Sequence, residues 1–218
     1  FVNKKISLGF DDGTIAVWDI SNNCEVVSFT ANERVRALAL AMKEHKLAYA
    51  TSSVIGIRDL ESGKDEFIDI GCAVTAVAFS PNGRLAAVGF EHGKIVLWDV
   101  LKRQELGEYS AHGKAVISLA FNNTANLLAS SSLDGLVLIW DVKFRHPMKI
   151  LLSGSPYGFG FVESLSFDES GAFLCGVNGR LIVWDIERQE QLPSITGHDN
   201  FVEAIAFSSD GRYLASGS

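Results

Sequence analysis

The sequence predicts an all-β protein built from repeated units, and two recurring patterns carry this prediction. The first pattern is Val-x-[Ala/Ser]-[Val/Leu/Ile]-[Ala/Ser]-[Phe/Leu], which begins at Val35, Val74, Val116, Val162 and Val202. The second is a Trp-Asp pair, which occurs at Trp18, Trp98, Trp140 and Trp184, with Arg58 once in place of the tryptophan. Both patterns return roughly every 40–45 residues, a period typical of repeat architectures.

Residues 115–141 show the repeat in its clearest form. Three short apolar runs, Val116–Phe121, Leu127–Ser132 and Leu136–Trp140, are separated by the polar segments Asn122–Asn126 and Leu133–Gly135. Short runs rich in β-branched residues and bounded by turn residues are typical of strands joined by tight turns. We therefore predict three consecutive antiparallel strands here.

The same pattern divides the chain into successive units. We predict a partial repeat at residues 1–31, with strands at 6–10, Thr14–Ile20 and Glu25–Thr30. Complete repeats cover about 32–70, 71–110, 111–153 and 154–197, and a further partial repeat covers 198–218. The fourth strands of the complete repeats are predicted near Lys64–Asp69, Gln104–Tyr109, Met148–Leu152 and Gln191–Thr196.

These landmarks resemble those of the WD-repeat family across essentially the whole chain. Repeats of that family are four-stranded antiparallel blades of a β-propeller. The resemblance implies an all-β propeller with four complete repeats and two partial ones, residues 1–218 forming a single segment. Both ends fall inside a repeat, so we interpret the chain as part of a longer propeller. The alternative is a closed ring of five blades, in which residues 6–10 and 213–218 would compete for one strand position.

The resemblance also implies a structural role for four polar and aromatic residues. WD repeats hold a hydrogen-bonded tetrad of His, Ser or Thr, Asp and Trp, and His112, Ser130, Asp134 and Trp140 match it, with Ser132 as a rival for the serine place. A buried indole N–H needs an acceptor, which this arrangement supplies. Elsewhere the aspartate place is uneven: it holds Asp12, Ser52, His92 and Asn178 in the other repeats.

The same Ser, His and Asp could be taken for a catalytic triad. A nucleophilic serine also needs an oxyanion site and a cleft, which no motif supplies. The glycines between Gly154 and Gly160 lack the Lys-Ser/Thr of a phosphate-binding loop. We therefore predict no catalytic residues, no cofactor and no metal site.

Composition limits the partners and the compartment. A formal net charge of −7 disfavours non-specific nucleic-acid binding, which needs a basic surface. No apolar run approaches the ~18 residues of a membrane span. Three scattered cysteines, Cys24, Cys72 and Cys175, are typical of free thiols in a reducing compartment. We expect a cytoplasmic location, with the nucleus as the alternative.

Candidate partner-binding residues come from the strand entrances and from one long connection. The resemblance implies that the residues flanking the first-strand valine line the upper rim, and the long connection before Val162 carries aromatics among glycines. Aromatic and arginine side chains are enriched in interface hot spots. The candidates are Arg34, Arg36, Ile117, Tyr157, Phe159, Phe161, Glu163, Phe201 and Glu203. Ordinary exposed strand residues, and aromatics packed beneath their own loop, are the competing interpretations.

These observations favour a non-catalytic scaffold that binds proteins or peptides on the propeller rim. One alternative is a ligand-sensing repeat region of a larger signalling protein, such as a multidomain ATPase or kinase. A more remote alternative is an enzyme built on the propeller, which would need a cluster of polar residues in the central channel.

Overall fold

The structure, a computed structural model, describes most of the chain. The described residues are 5–41, 45–71, 74–110, 112–144, 147–152, 162–177, 181–193, 195, 197–198, 202, 204–207 and 213–217. Within them every regular element is a β-strand. The prediction of an all-β fold is confirmed.

The strands form antiparallel sheets that follow one another along the chain. The first sheet has three strands: β1 Lys5–Gly9, β2 Thr14–Asp19 and β3 Cys24–Thr30. The second has β4 Ala37–Ala41, β5 Lys46–Ala50, β6 Val54–Asp59 and β7 Asp65–Asp69. The third has β8 Val74–Phe79, β9 Leu85–Phe90, β10 Lys94–Asp99 and β11 Gln104–Ser110.

The remaining sheets repeat the same order. The fourth has β12 Val116–Phe121, β13 Leu127–Ser132, β14 Leu136–Asp141 and β15 Pro147–Leu152. The fifth has β16 Ser164–Phe167, β17 Phe173–Val177, β18 Leu181–Asp185 and β19 Glu190–Gln191. The sixth has β20 Ala204–Phe207 and β21 Leu214–Gly217. Four four-stranded sheets and two smaller ones thus lie within the described residues, as predicted.

The first strands of successive sheets lie side by side. Strand β12 contacts β8 on one side and β16 on the other, and β4 contacts β8 as β16 contacts β20. Hydrophobic clusters fill the layers between consecutive sheets; one joins Leu97 and Tyr109 of the third sheet to Leu128 and Trp140 of the fourth. Each sheet is therefore a blade packed face to face on the next, which is the arrangement of a propeller.

Glycine is needed at the hairpin that precedes the strand with the Trp-Asp pair. Gly13, Gly93 and Gly135 occupy this position with φ angles of 85°, 86° and 86°. At Gly93 a Cβ atom would lie 2.3 Å from the carbonyl oxygen of His112. The left-handed backbone and this close approach both exclude larger residues.

Two details differ from the predicted elements. Among the described residues, the fourth strand of the fifth sheet, predicted over Gln191–Thr196, covers Glu190–Gln191, and an isolated bridge joins Leu181 and Ile195. Pro193 lies inside the predicted strand and cannot donate a ladder hydrogen bond. The first strands of the second and fifth sheets begin at Ala37 and Ser164, two residues after their pattern valines.

Candidate functional site

The structure brings together the four residues of the fourth sheet that resemble the family tetrad. His112 Nδ1 lies 3.0 Å from Asp134 Oδ2, and its Nε2 lies 2.8 Å from Ser130 Oγ. Trp140 Nε1 donates to the same Ser130 Oγ at 2.7 Å. One chain of hydrogen bonds thereby links the hairpin aspartate to His112, which precedes β12, and to residues of β13 and β14.

Burial and hydrogen bonding determine the protonation of this chain. Burial lowers the pKa of His112 below its ordinary value of 6.5, although the Asp134 carboxylate opposes the shift. In the neutral ring Nδ1–H donates to Asp134, which leaves Nε2 to accept the hydroxyl proton of Ser130. Burial raises the pKa of Asp134, but hydrogen bonds from the Leu136 and Gly113 N–H groups and from His112 outweigh it, and the net pKa is lowered.

Ser132 has different partners. Its Oγ donates to the Lys114 carbonyl at 2.9 Å and accepts from the Asp134 N–H at 3.1 Å. Ser130, rather than Ser132, therefore lies between His112 and Trp140. A stabilising role for the chain of four residues stays a prediction, and mutagenesis is the test.

The geometry bears on the catalytic interpretation of these residues. Ser130 is fully buried, at 0% exposure, and its oxygen accepts the indole N–H. A nucleophile must reach substrate and must offer its oxygen lone pair to it. The environment of Ser130 suits a hydrogen-bonding role between strands and does not suit attack on a substrate.

A second histidine–serine pair lies in the sixth sheet. His198 Nε2 lies 2.7 Å from Ser216 Oγ, at the sequence separation of 18 that also joins His112 to Ser130. His198 lies four residues before Val202, as His112 lies four residues before Val116, whereas Ser216 belongs to neither of the two recurring patterns. The constant separation within the repeat is the signal that would have found it.

The other tryptophans lack this acceptor. Val88 and Gly176 occupy the strand positions that match Ser130, each opposite the residue two places before its tryptophan. Trp98 Nε1 and Trp184 Nε1 are buried and find no hydrogen-bond partner among the described residues. Only part of the tetrad pattern is thus present in the third and fifth sheets.

The rim candidates that the structure describes lie at the entrances of the first strands. Arg34, Arg36 and Glu163 are exposed and Ile117 is half-buried. The β12–β13 pairing shifts between Val116 and Ser118, which leaves Ile117 as the extra residue of a β-bulge. Bulges re-aim side chains and are frequent near functional sites. Tyr157, Phe159, Phe161, Phe201 and Glu203 lie outside the described residues.

Arg34 has one ionic contact. Its Nε lies 2.9 Å from Asp11 Oδ1, and both side chains are largely exposed. Exposed pairs contribute little to stability. The Arg34 guanidinium therefore remains available for a partner at small energetic cost.

A cavity of about 410 Å³ lies at the opposite end of the first strands. It is lined by the last residues of the repeated pattern in four successive sheets, which are Phe79, Phe121, Phe167 and Phe207. This opening could not be predicted from the sequence, because it depends on the side-by-side placement of strands that are far apart in the chain. Its signal in the sequence is the phenylalanine that ends four of the five valine patterns.

Metal and membrane features are absent from the part of the chain that the structure describes. No group of three or more His, Cys, Asp or Glu side chains there could hold a metal ion. The same residues contain no helix long and apolar enough to cross a bilayer.

Comparison with known proteins identifies similar chains. The family model of the Vps8 β-propeller matches residues 60–150, and that of the WD domain, G-beta repeat, matches residues 189–218. Pre-mRNA-processing factor 19 of Bos taurus is 31% identical over 94% of this chain, and that of Mus musculus is 32% identical over the same share. The chain spans 41% of the length of these two relatives.

A shorter match covers the small ribosomal subunit protein RACK1 of Neurospora crassa, which is 32% identical over 44% of this chain and 34% of that protein. The family models and these relatives agree with the blades seen in the structure. The chain belongs to the WD-repeat β-propeller family.

Proposed function

We propose that this chain is a non-catalytic scaffold that binds proteins or peptides through the rim at the first-strand entrances. The bulge that carries Ile117, together with the matching bulge at Thr75, is the observation that supports it most directly. An extra residue in the same place of successive sheets releases side chains from the strand ladder at one end of the propeller. Ile117 is half-buried there and remains partly accessible to a partner, whereas Thr75 Oγ1 donates to the Gly89 carbonyl at 3.0 Å.

The exposed charges of the rim support the same proposal. Arg34 and Arg36 precede the second sheet, and Glu163 precedes the fifth, so different sectors of the rim carry opposite charge. Complementary charge steers partners and selects among them. A protein or peptide with segregated charge suits this surface.

The relatives' names are consistent with a role in multi-protein assemblies. They include a small ribosomal subunit protein, an MST50-interacting protein of Pyricularia oryzae and subunit I of a eukaryotic translation initiation factor of Drosophila mojavensis. Loops on a rigid scaffold commonly carry specificity, and a shared fold does not transfer a particular partner. We propose a location in the cytoplasm or the nucleus, without nucleic acid as a direct ligand.

The test is a selection of displayed random peptides on the folded chain. The rim variant carries Arg34→Glu, Arg36→Glu and Ile117→Asp, and the control variant carries Lys64→Glu and Arg188→Glu in the turns between third and fourth strands. Antiparallel order places those turns at the opposite end of the blades from the rim. Selected peptides should lose about tenfold or more in affinity for the rim variant and bind the control variant normally. Equal binding to both variants would refute the rim as the binding surface.

The long connection gives an independent test of the same function. Changing Tyr157 and Phe159 to Ala should weaken peptide capture with little change in melting temperature. An equal loss of stability would instead support packing of these aromatics beneath their own loop.

A further inference from the structure

The outermost strand of the fourth sheet carries an unusual set of exposed side chains. On β15, Met148 is 47% exposed and Ile150 is 59% exposed, and Phe144, just before the strand, is 64% exposed. The equivalent strand β11 instead exposes Gln104, Glu105 and Glu108. Single exposed apolar residues are ordinary, but a group of them on one edge is typical of a contact surface.

An apolar cavity of about 230 Å³ lies beside this strand. It lies between the fourth and fifth sheets, and its lining includes Leu127, Ile139, Met148, Ala172 and Ile186. Pockets for drug-sized ligands have volumes of about 300–1,000 Å³. The smaller volume here suits one side chain of a larger partner.

No strand of the described part of the chain lies on the outer side of β15. The sheet order is β12-β13-β14-β15, so β15 has a strand neighbour on one side only within the described residues. Edge strands are often protected by lysine, which blocks the approach of another strand. Here the Lys149 ammonium donates to the Ile186 carbonyl of the fifth sheet, so its side chain lies against that sheet and does not cover the outer edge of β15.

Local charge indicates the kind of partner. The whole chain has a formal net charge of −7, yet residues 142–162 contain Lys143, Arg145 and Lys149 and no Asp or Glu. This segment is therefore basic on an acidic protein. An acidic segment with apolar residues at alternate positions complements both the charge and the exposed face.

We propose that β15 and the adjacent cavity bind an acidic, extended segment of a partner protein. The segment pairs with the outer edge of β15 and places an apolar side chain in the cavity, as in recognition by strand addition. This surface lies on the outer side of the blade, distinct from the rim, and does not depend on the rim proposal.

The probe is a short fluorescein-labelled peptide in which Asp alternates with Val and Leu, and its binding to the folded chain is measured by fluorescence anisotropy. Two altered peptides serve as controls, one with Lys for each Asp and one with alternate backbone N–H groups methylated. The acidic peptide should bind more tightly than both, and the difference from the Lys peptide should shrink with added salt. Hydrogen exchange of β15 amides should slow on binding.

Protein variants locate the site. Ile150→Glu places a like charge on the exposed face, and Ala172→Leu fills the cavity; each should lower affinity about tenfold. Phe67→Glu is the matched control, because Phe67 is 60% exposed on the outermost strand of the second sheet. Its affinity should equal that of the unaltered chain. Melting temperatures measured alongside show that each variant is folded.

Three results would overturn the proposal. The first is equal binding of the acidic and Lys peptides, and the second is an equal loss of affinity in Phe67→Glu. The third is concentration-dependent self-association that Ile150→Glu abolishes, since it would identify a second copy of the chain as the occupant of the edge.

Discussion

The fourth sheet and its two neighbours use the same tryptophan in different surroundings. Trp140 donates to Ser130 and packs edge-on against Tyr109 of the third sheet, with ring centroids 5.0 Å apart. Trp98 and Trp184 have buried indole nitrogens without a partner among the described residues. An unsatisfied buried donor costs about 1–3 kcal/mol. The neighbouring sheets tolerate this cost, so the three sheets share the apolar packing of the indole, and the hydrogen-bonded chain is an addition in the fourth sheet.

The second sheet takes the comparison one step further, because Arg58 replaces the tryptophan. Its guanidinium lies over the Phe29 ring at 4.0 Å and pairs with Asp65 at 2.6 Å. Tyr49 occupies the serine place, and a Cβ at the facing Gly56 would lie only 2.1 Å from its ring. A tyrosine, a glycine and an ion pair together fill the space that tryptophan and serine fill in the fourth sheet.

The largest expected effect is that of removing the tryptophan from the complete chain of hydrogen bonds. Trp140→Ala should lower the free energy of unfolding by about 3–5 kcal/mol, since it leaves a large cavity between two sheets. Trp98→Ala should cost less, because Trp98 is half-buried and its N–H is unpaired. Urea denaturation of both variants gives the comparison. A loss below about 1 kcal/mol for Trp140→Ala would show that this residue does not hold the sheets together.

Removing the serine that hydrogen-bonds both His112 and Trp140 should have the next largest effect. Ser130→Ala leaves His112 Nε2 and the Trp140 N–H without their partner, which should cost about 1–3 kcal/mol. The double variant Ser130→Ala/Trp140→Phe tests whether the bonds act together. The losses of unfolding free energy in the single variants Ser130→Ala and Trp140→Phe should sum to more than the loss in the double variant, by about 0.5 kcal/mol or more. Simple additivity would mean that the serine and the indole contribute independently.

The pH dependence of stability should single out His112. Burial lowers the pKa of His112 in the folded chain below 6.5, so the unfolded state binds more protons between these two values. The free energy of unfolding should therefore fall as the pH drops from about 7 towards about 5, and this contribution should be constant above about pH 7.5. The lowered pKa of Asp134 affects the free energy of unfolding only at more acidic pH, outside this window.

The measurement is denaturant unfolding of the unaltered chain and of His112→Gln at about pH 5.5 and about pH 7.5. The unaltered chain should lose more stability at the lower pH than the variant does. If both lose the same amount, protonation of His112 in the unfolded state is not the cause.

The sequence predicted the blades because their signals are local and repeated. The valine pattern and the Trp-Asp pairs marked the first and third strands of the four-stranded sheets, and these strands lie where the patterns fall, apart from the late starts of β4 and β16. Strand alternation has a period of two, so Ser130 and Ser132 face the same side, and sequence could not separate them. Only the register of β13 on β14 decides which serine meets the indole.

The contacts between sheets were beyond the reach of the sequence. The Arg58–Phe29 contact joins residues of different repeats, and the cavity beside β15 is lined by residues from two sheets. Such features depend on how far each blade is rotated relative to the next, which no local pattern encodes. The exposed apolar residues of β15 were similarly hidden, because Met148 and Ile150 fit an ordinary fourth strand.

The smallest expected effect comes from giving the third sheet the acceptor that it lacks. Val88 is fully buried in the cluster against which Trp98 packs, and it holds the position of Ser130. A buried hydroxyl without a partner costs about 1–3 kcal/mol, whereas a hydrogen bond to the indole would offset about 0.5–1.5 kcal/mol. Val88→Thr should therefore destabilise the chain by about 1 kcal/mol less than Val17→Thr, a fully buried control in the first sheet.

The cause of that difference can be isolated by removing the donor. In a Trp98→Phe background the advantage of Val88→Thr over Val17→Thr should disappear, since no indole N–H remains to be satisfied. Gly176→Ser cannot serve for the fifth sheet, because a Cβ there would lie 2.6 Å from Val162 and 2.8 Å from the Trp184 ring. If Val88→Thr costs as much as Val17→Thr with Trp98 in place, the missing hydrogen bond carries no measurable energy. The three sheets would then differ in geometry but not in stability.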